Sequence, residues 1–509
     1  MDIEDWFKVK KYPHIGLPIT IKDYQWVKDY VEDEDRIRVH SFMPLIHKTI
    51  IRRKYRAESS ALPKNPSGKR RRKKGKPKVR HIFFSSHLDS LIFSKYNEKL
   101  ATAYKDYISD KAFSECVVAY RKIPIYEGSK KNKCNIDFAK AAFEFIQKNR
   151  SLRLTAIVAD VTSFFDNLDH KILKKQWRIV LKEPSLPKDH YNIFKALTKK
   201  RYIEGEHLFK NYNETMLVEC GVADSSKEKT IKRKPIKRSE YFKEKNAVAY
   251  CQKNEFLKNN LDLVISEDSI KGIPQGSPIS ATLANIYMLD FDTEVFDKVS
   301  SYGGFYQRYS DDLIIVCEQK YEDDVVKFIR NKITTLANLE IEPDKTKVFR
   351  FEEMNGKFTG FEIDEVTKAP NYNKVLQYLG FSYDGQRILI KASGFSKFYR
   401  SMKASFKKST SLAIFSKNPD KRIFKSRLYK RFTYKGAERK LIYRPSKADK
   451  AKYQKTKEYY WGNYLSYIFK ANDLLKQING NDSIKKQSRK FWKKFHDLMK
   501  FHQSRLDRE

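Results

Sequence analysis

Three acidic side chains give the first chemical signal in this 509-residue chain. Asp311 and Asp312 are adjacent in "YSDD" (309–312), between "GGFYQR" and "LIIVC", two runs suited to strands, so the pair belongs at a hairpin tip. Asp160 closes "LRLTAIVAD" (152–160), a β-prone and mostly apolar run that reads as a buried strand. Adjacent carboxylates repel one another. A hard divalent cation, which prefers oxygen ligands, turns that repulsion into binding. If strand and hairpin pair in one antiparallel sheet, the three carboxylates meet at its edge. Two magnesium ions about 3.5–4 Å apart are the known arrangement for in-line nucleotidyl transfer. A lone Asp-Asp pair is also a common surface turn, so the surrounding elements have to decide.

Those elements can be read from periodicity and punctuation. Residues 20–56 are mostly helical in pattern, and "PKNPSGKRRRKKGKPKVR" (63–80) then breaks it, with Lys69–Lys74 expected as a solvated loop. "KPKVRHIFF" enters a strand that carries Lys78 and Arg80 on one side. A helix follows over 90–104. Residues 200–265 are polar and lack a clear period, which suggests an insertion with some helix. "GIPQGSPISATLANIYMLDFDTEVF" (272–296) is a Gly/Pro-rich turn leading into a helix whose core face is Leu283, Ile286, Tyr287 and Phe291. Residues 321–343 run from an amphipathic helix into a strand, and short strands continue to about 390. From about 395 the chain reads as three or more helices, including one across 447–478. Their aromatic residues are expected in the core rather than as base-stacking platforms.

Composition narrows the partners. Lys and Arg number 104 against 63 Asp and Glu, a formal net charge of +41. That excess is several times the net charge of an ordinary soluble domain and favours a polyanion, above all nucleic acid. The five cysteines are scattered with no C-x-x-C pair, which points away from a disulfide framework or structural zinc and fits a reducing cytoplasm. The first residues do not read as a signal peptide, and no apolar run is long enough to span a bilayer.

In order along the chain, "ADVTSFFDNLDH" (159–170), "IPQGSPISATLANIYM" (273–288) and "RYSDDLIIVC" (308–317) resemble three successive motifs of reverse transcriptases. They are most similar to those of bacterial group II intron and retron enzymes. "KPKVRHI" (76–82) looks like the fingers strand that holds the incoming triphosphate, and "SECVVAYRKI" (114–123) like the next fingers motif. "LEIEPDKTKVF" (339–349) resembles the following palm element, and "QYLGF" (377–381) the primer-grip hairpin. The resemblance covers roughly residues 76–390. It implies an α/β right-hand polymerase: an N-terminal helical extension (1–75), fingers (76–150), a palm with antiparallel sheet and an insertion (151–395), and an α-helical thumb or C-terminal domain (396–509).

The resemblance also implies roles. Asp160, Asp311 and Asp312 would be the metal-binding triad for two Mg²⁺ ions, with the Val161 carbonyl as a further ligand. Phe165 would press a ring against the sugar's 2′ position and exclude ribonucleotides. Gln275 and Gly276 would contact nucleotide and template, and Lys78 and Arg80, with Arg121, would neutralise the triphosphate. Lys345 would donate a proton to pyrophosphate, with Lys347 as the alternative, and Tyr309 would pack near the primer end. RNA synthesis is the competing polymerase reading, because Asp166 has the spacing of the residue that recognises a 2′-hydroxyl in RNA-dependent RNA polymerases. Against it, those enzymes usually carry Gly before the Asp pair and lack a "PQG" turn.

"YPHIGLP" (12–18), the insertion and the helical tail look similar to bacterial defence-associated, abortive-infection-type reverse transcriptases. For this chain that placement implies dNTP substrates, a noncoding RNA template, a DNA product and a role in phage resistance. Members of that group include protein-primed enzymes and trimers or hexamers. Template-independent DNA synthesis, a maturase-like splicing factor and a catalytically silent RNA-binding protein are the alternatives.

Overall fold

The structure is a computed structural model describing all residues except 1–2, 58–70, 221–229, 343–345, 417–421, 438–439, 446–452, 461 and 509. The fold is mixed α/β, with an antiparallel palm sheet and a largely helical C-terminal region. Two compact units make up the chain: Met1–Arg121, Val161–Phe296 and Ile329–Ile341 form the first; Lys122–Asp160, Asp297–Phe328 and Glu342–Glu509 form the second.

The second unit is built on a six-stranded sheet. Its strand order is Phe305–Tyr309, Asp312–Glu318, Leu154–Asp160, Lys347–Met354, Lys357–Ile363, Pro370–Asn371. Leu154–Asp160 lies inside this sheet, which explains its near-continuous apolar run. One polar residue in it, Thr155, is fully buried and donates to Glu322 at 2.9 Å, while Arg350 grips the same carboxylate through two bonds of 2.9 Å. A buried polar group is tolerated when it is paired in this way.

One face of the sheet (Ala156, Ile314, Val316, Phe349, Phe351) joins a core with Phe143 of helix Asn135–Lys148 and with the short meander Leu376–Tyr378, Phe381–Tyr383, Ile388–Ile390. Met402, Phe406, Ile468 and Phe495 of the C-terminal helices complete that core. Full burial of each such side chain contributes about 1.5–3 kcal/mol. Among the described C-terminal aromatics Phe398, Phe406, Phe432, Phe491 and Phe495 are buried in the core, whereas Phe415, Phe424, Tyr434, Tyr443 and Phe501 stand more than half exposed.

The first unit holds two four-stranded sheets. One runs Arg72–Phe84, Leu45–Ala57, Lys199–Glu204, Ile265–Asp268; the other His14–Ile15, Ala247–Cys251, Thr215–Cys220, Thr230–Pro235. Helix His87–Ile108 begins at Ser86, whose hydroxyl accepts from the Asp89 N–H. Helix Ser280–Tyr287 and the turn before it follow the sequence reading, and Leu283, Ile286, Tyr287 and Phe291 are all buried.

Four expectations are corrected. Helical periodicity ends at Val39, and Leu45–Ala57 is a strand, since Ile46, Thr49, Ile50 and Ile51 favour an extended chain and find a partner in Arg72–Phe84. The partner strand starts at Arg72, inside the run read as a solvated loop. Residues 200–265 contribute strands to both sheets of the first unit; their pairing with residues 14–15 and 45–47 is non-local, so no sequence window displays it. Tyr453–Tyr460 is a strand paired with Lys440–Pro445, and the helix expected across 447–478 starts at Tyr464. Among the described residues no helix is long and apolar enough to cross a membrane. All five cysteines are free thiols.

Candidate active site

In the second unit, strands Phe305–Tyr309 and Asp312–Glu318 form a hairpin with the two-residue loop Ser310–Asp311. Tight hairpins of this kind need a positive φ to match strand twist, and Ser310 supplies it at +63°. Arg308, fully buried, donates through Nη1 to the Ser310 carbonyl at 3.0 Å and so props the turn. The second hairpin strand pairs antiparallel with the central strand, in a register that sets Asp312 directly opposite Asp160. Tyr309 lies opposite Asp312 on the other side. Asp311 and Asp160 are half-buried and Asp312 is exposed.

Like charges directly across two strands destabilise a sheet unless a cation lies between or beside them. The donor chemistry, carboxylate oxygens at a strand end, suits a hard divalent ion. Among the described residues, however, no three His, Cys, Asp or Glu side chains gather closely enough to hold one. Register therefore opposes two acids, with the third in the adjoining turn.

The primer-grip-like segment belongs to the same unit. Its turn, Leu379–Gly380, has positive φ at both positions (+43° and +91°), and it joins Tyr378 to Phe381. The buried Tyr378 hydroxyl donates to Gln307 Oε1 at 2.9 Å. Burial, with the Asp312 carboxylate and Tyr309 adding to it, pushes that hydroxyl well above the ordinary tyrosine value. Sequence reasoning singled out neither Gln307 nor Arg308, and took Tyr378 only as part of "QYLGF". A signal did exist: "FYQRY" places two polar side chains in a strand otherwise apolar or aromatic.

The first unit contains a different set. The Pro274-Gln275-Gly276 turn is tied to the basic strand, because the Phe83 N–H donates to the Gln275 carbonyl at 3.0 Å. Gly276 has φ +116°, and a Cβ there would lie 3.1 Å from the Phe83 carbonyl oxygen. On its other side the turn meets the Phe165 segment, where the Ile273 N–H donates to the Phe165 carbonyl at 2.9 Å. Phe165 is half-buried and packs edge-on against the buried Phe164 at 5.5 Å. Lys78 and Arg80 are both exposed, on the same strand as Phe83.

The remaining candidates are placed as follows. Val161 is buried and bridges to Ile341. Arg121 uses Nη1 on the Ser114 and Val117 carbonyls, at 2.5 and 2.7 Å, so it braces its own loop. Asp166 is exposed. Lys345 lies outside the described residues, and its alternative Lys347 is paired with Glu362 at 3.1 Å.

Residues 236–383 match the family model described as reverse transcriptase (RNA-dependent DNA polymerase). No curated protein matches the chain. Similar solved structures include apo telomerase from Candida tropicalis (13% identity, TM-score 0.36, covering 81% of this chain and 62% of that one). Its form truncated from the C-terminal domain gives 13% identity and a TM-score of 0.33, covering 70% of this chain and 61% of that one. Telomerase from Candida albicans in complex with a TWJ fragment of telomeric RNA gives 12% and 0.34, with 75% and 53% covered. The chain thus spans between about half and three-fifths of the length of these structures. Likeness at that level decides nothing about activity. The matched family segment includes the Pro-Gln-Gly turn, the hairpin of Asp311 and Asp312, and the Tyr378 turn; Asp160 and Phe165 precede it.

Proposed function

We propose that this chain, whose residues 236–383 match the reverse transcriptase family model, is an RNA-directed DNA polymerase that adds deoxynucleotides to a primer by two-metal-ion nucleotidyl transfer on an RNA template. The observation that carries the reading is the register that sets Asp312 directly opposite Asp160 at the strand end, with Asp311 in the adjoining turn, a set of oxygen donors of the kind a hard divalent ion takes.

Two magnesium ions, when bound, would activate the primer 3′-hydroxyl and stabilise the departing pyrophosphate. Asp160, Asp311 and Asp312 supply their oxygen ligands, and the Val161 carbonyl adds one. Lys78 and Arg80 neutralise the triphosphate, leaving Arg121 to hold its loop. Phe165 excludes a 2′-hydroxyl by collision. Gln275 and Gly276 let nucleotide and template approach the backbone closely, Tyr309 packs beside the primer end, and Lys345 protonates pyrophosphate.

The finer reading takes a noncoding RNA as template and phage defence in a bacterial cytoplasm as the role, with assembly as a trimer or hexamer. It rests on the resemblance of residues 12–18, the polar insertion and the helical tail to defence-associated enzymes.

Purified protein is incubated with an RNA template, a DNA primer, Mg²⁺ and labelled dNTPs or NTPs. Template-dependent dNTP incorporation by wild type, abolished in Asp311→Asn, supports the proposal. Preferential NTP incorporation overturns DNA synthesis, and incorporation unaffected by removing the template overturns templated synthesis. Sequencing of co-purifying RNA and plaque assays with Asp311→Asn test the template and the defence role.

A further inference from the structure

The sheet of the first unit carries an extension whose outer half lies beyond Lys78 and Arg80, the residues proposed for the triphosphate. Strand Leu45–Ala57 pairs with Lys199–Glu204 only through Leu45, Ile46 and His47, but its pairing with Arg72–Phe84 continues to Ala57. From Lys48 and Ile82 outward the two strands form a ribbon of two strands alone. Ten residues at about 3.3 Å each make it about 30 Å long.

Its surface is unusual. Residues 48–57 and 72–81 carry five and six Lys or Arg, and neither stretch has an Asp or Glu. Register sets Arg52 directly opposite Lys78, and Arg56 opposite Lys73. Ile51, Tyr55 and Val79 are exposed at 59%, 60% and 43%, so no described element covers the ribbon at these positions. A lone two-stranded hairpin is marginal in water, and opposed like charges weaken it further. Blunting an exposed edge against aggregation takes one or two charges, not eleven cations without an acid. Lys73 lies five residues, about 17 Å along the strand, from Lys78, too far to serve the same triphosphate.

We propose that the outer half of this ribbon (Arg53, Lys73, Lys74 and their neighbours) grips the phosphate backbone of an RNA strand, which neutralises the opposed cations and stabilises the hairpin. The choice of RNA as the polyanion rests on the polymerase reading; the binding itself does not.

The test is fluorescence anisotropy of full-length protein with a labelled single-stranded RNA oligonucleotide across a salt series, comparing wild type with Arg53→Gln/Lys73→Gln/Lys74→Gln. We expect affinity to fall about tenfold and the slope of log K against log salt to drop by about 2, at about 0.7 per lost contact. The dNTP KM on a saturating primer–template should stay unchanged, and an unchanged melting temperature excludes misfolding. Wild-type affinity and slope in the variant overturn the proposal, as does a raised dNTP KM with unaltered RNA affinity. Because binding is read without any incorporation, an inactive polymerase leaves the result interpretable.

Discussion

Asp312 faces Asp160 across adjacent antiparallel strands, an opposition of like charge on two strands that are otherwise mostly apolar. A pair of this kind costs a few tenths to about 1 kcal/mol. Asp312→Asn should abolish incorporation. Mg²⁺ should raise the melting temperature of wild type and leave that of Asp160→Asn/Asp311→Asn unmoved. An incorporation assay checks the first, and differential scanning calorimetry with and without Mg²⁺ the second.

Gly276 is fixed by two independent constraints, a φ of +116° and the Phe83 carbonyl 3.1 Å from where a Cβ would stand. Gly276→Ala should cost on the order of 1–3 kcal/mol and displace the Gln275 carbonyl from the Phe83 N–H. The expected readouts are a lower melting temperature and a raised dNTP KM. A neutral substitution would mean that the turn does not need its close approach to the basic strand.

Phe165 tests sugar selection. Truncation to Ala leaves its neighbour Phe164 buried in the core, so the fold should hold. The expected result is at least a tenfold gain in rNTP relative to dNTP incorporation, measured as the ratio of kcat/KM values; about 1.4 kcal/mol of discrimination corresponds to that factor. An unchanged ratio removes Phe165 from the selection.

Acid should weaken the first unit through two buried histidines. The Ile15 N–H donates to His14 Nδ1 at 2.8 Å, and His14 Nε2 lies 3.0 Å from the Phe84 carbonyl, an arrangement only a neutral ring satisfies. Burial pushes His14 down to about 4, the Phe84 carbonyl and Asp89 opposing it. His87, stacked on Tyr12 with no hydrogen-bond partner for either ring nitrogen among the described residues, is pushed to about 4 by burial and by His14. Below the unfolded value of about 6.5 the unfolded chain binds protons that the folded one refuses. Stability from these groups is thus full above pH 6.5 and is lost as pH falls towards 4. Each contributes on the order of 3 kcal/mol, less together because they interact. Hydrogen exchange of residues 87–108 across pH 4–8 should show this, with a shallower acid slope in His87→Phe.

Local patterns settled a good deal in advance. The apolar run ending in Asp160, the hairpin around "SDD", the helix after "PQG" and the core face of Leu283, Ile286, Tyr287 and Phe291 were legible because each is fixed by neighbours within a turn or a strand of itself. The extended course of residues 45–57, the strands within 200–265 and the strand at 453–460 were not, because their pairing partners lie far away in sequence.

Residue types alone thus determined that a basic strand, an acid followed by a bulky ring, a glycine turn and an acidic pair succeed one another along the chain. Only tertiary pairing decided that Asp312 stands against Asp160, that Gln275 is bonded to the strand of Lys78 and Arg80, and that Tyr378 reaches Gln307. Strand register has a period of two, so a slip of one residue would turn every side chain to the other face. That choice is made by the whole buried sheet rather than by any one segment of the chain.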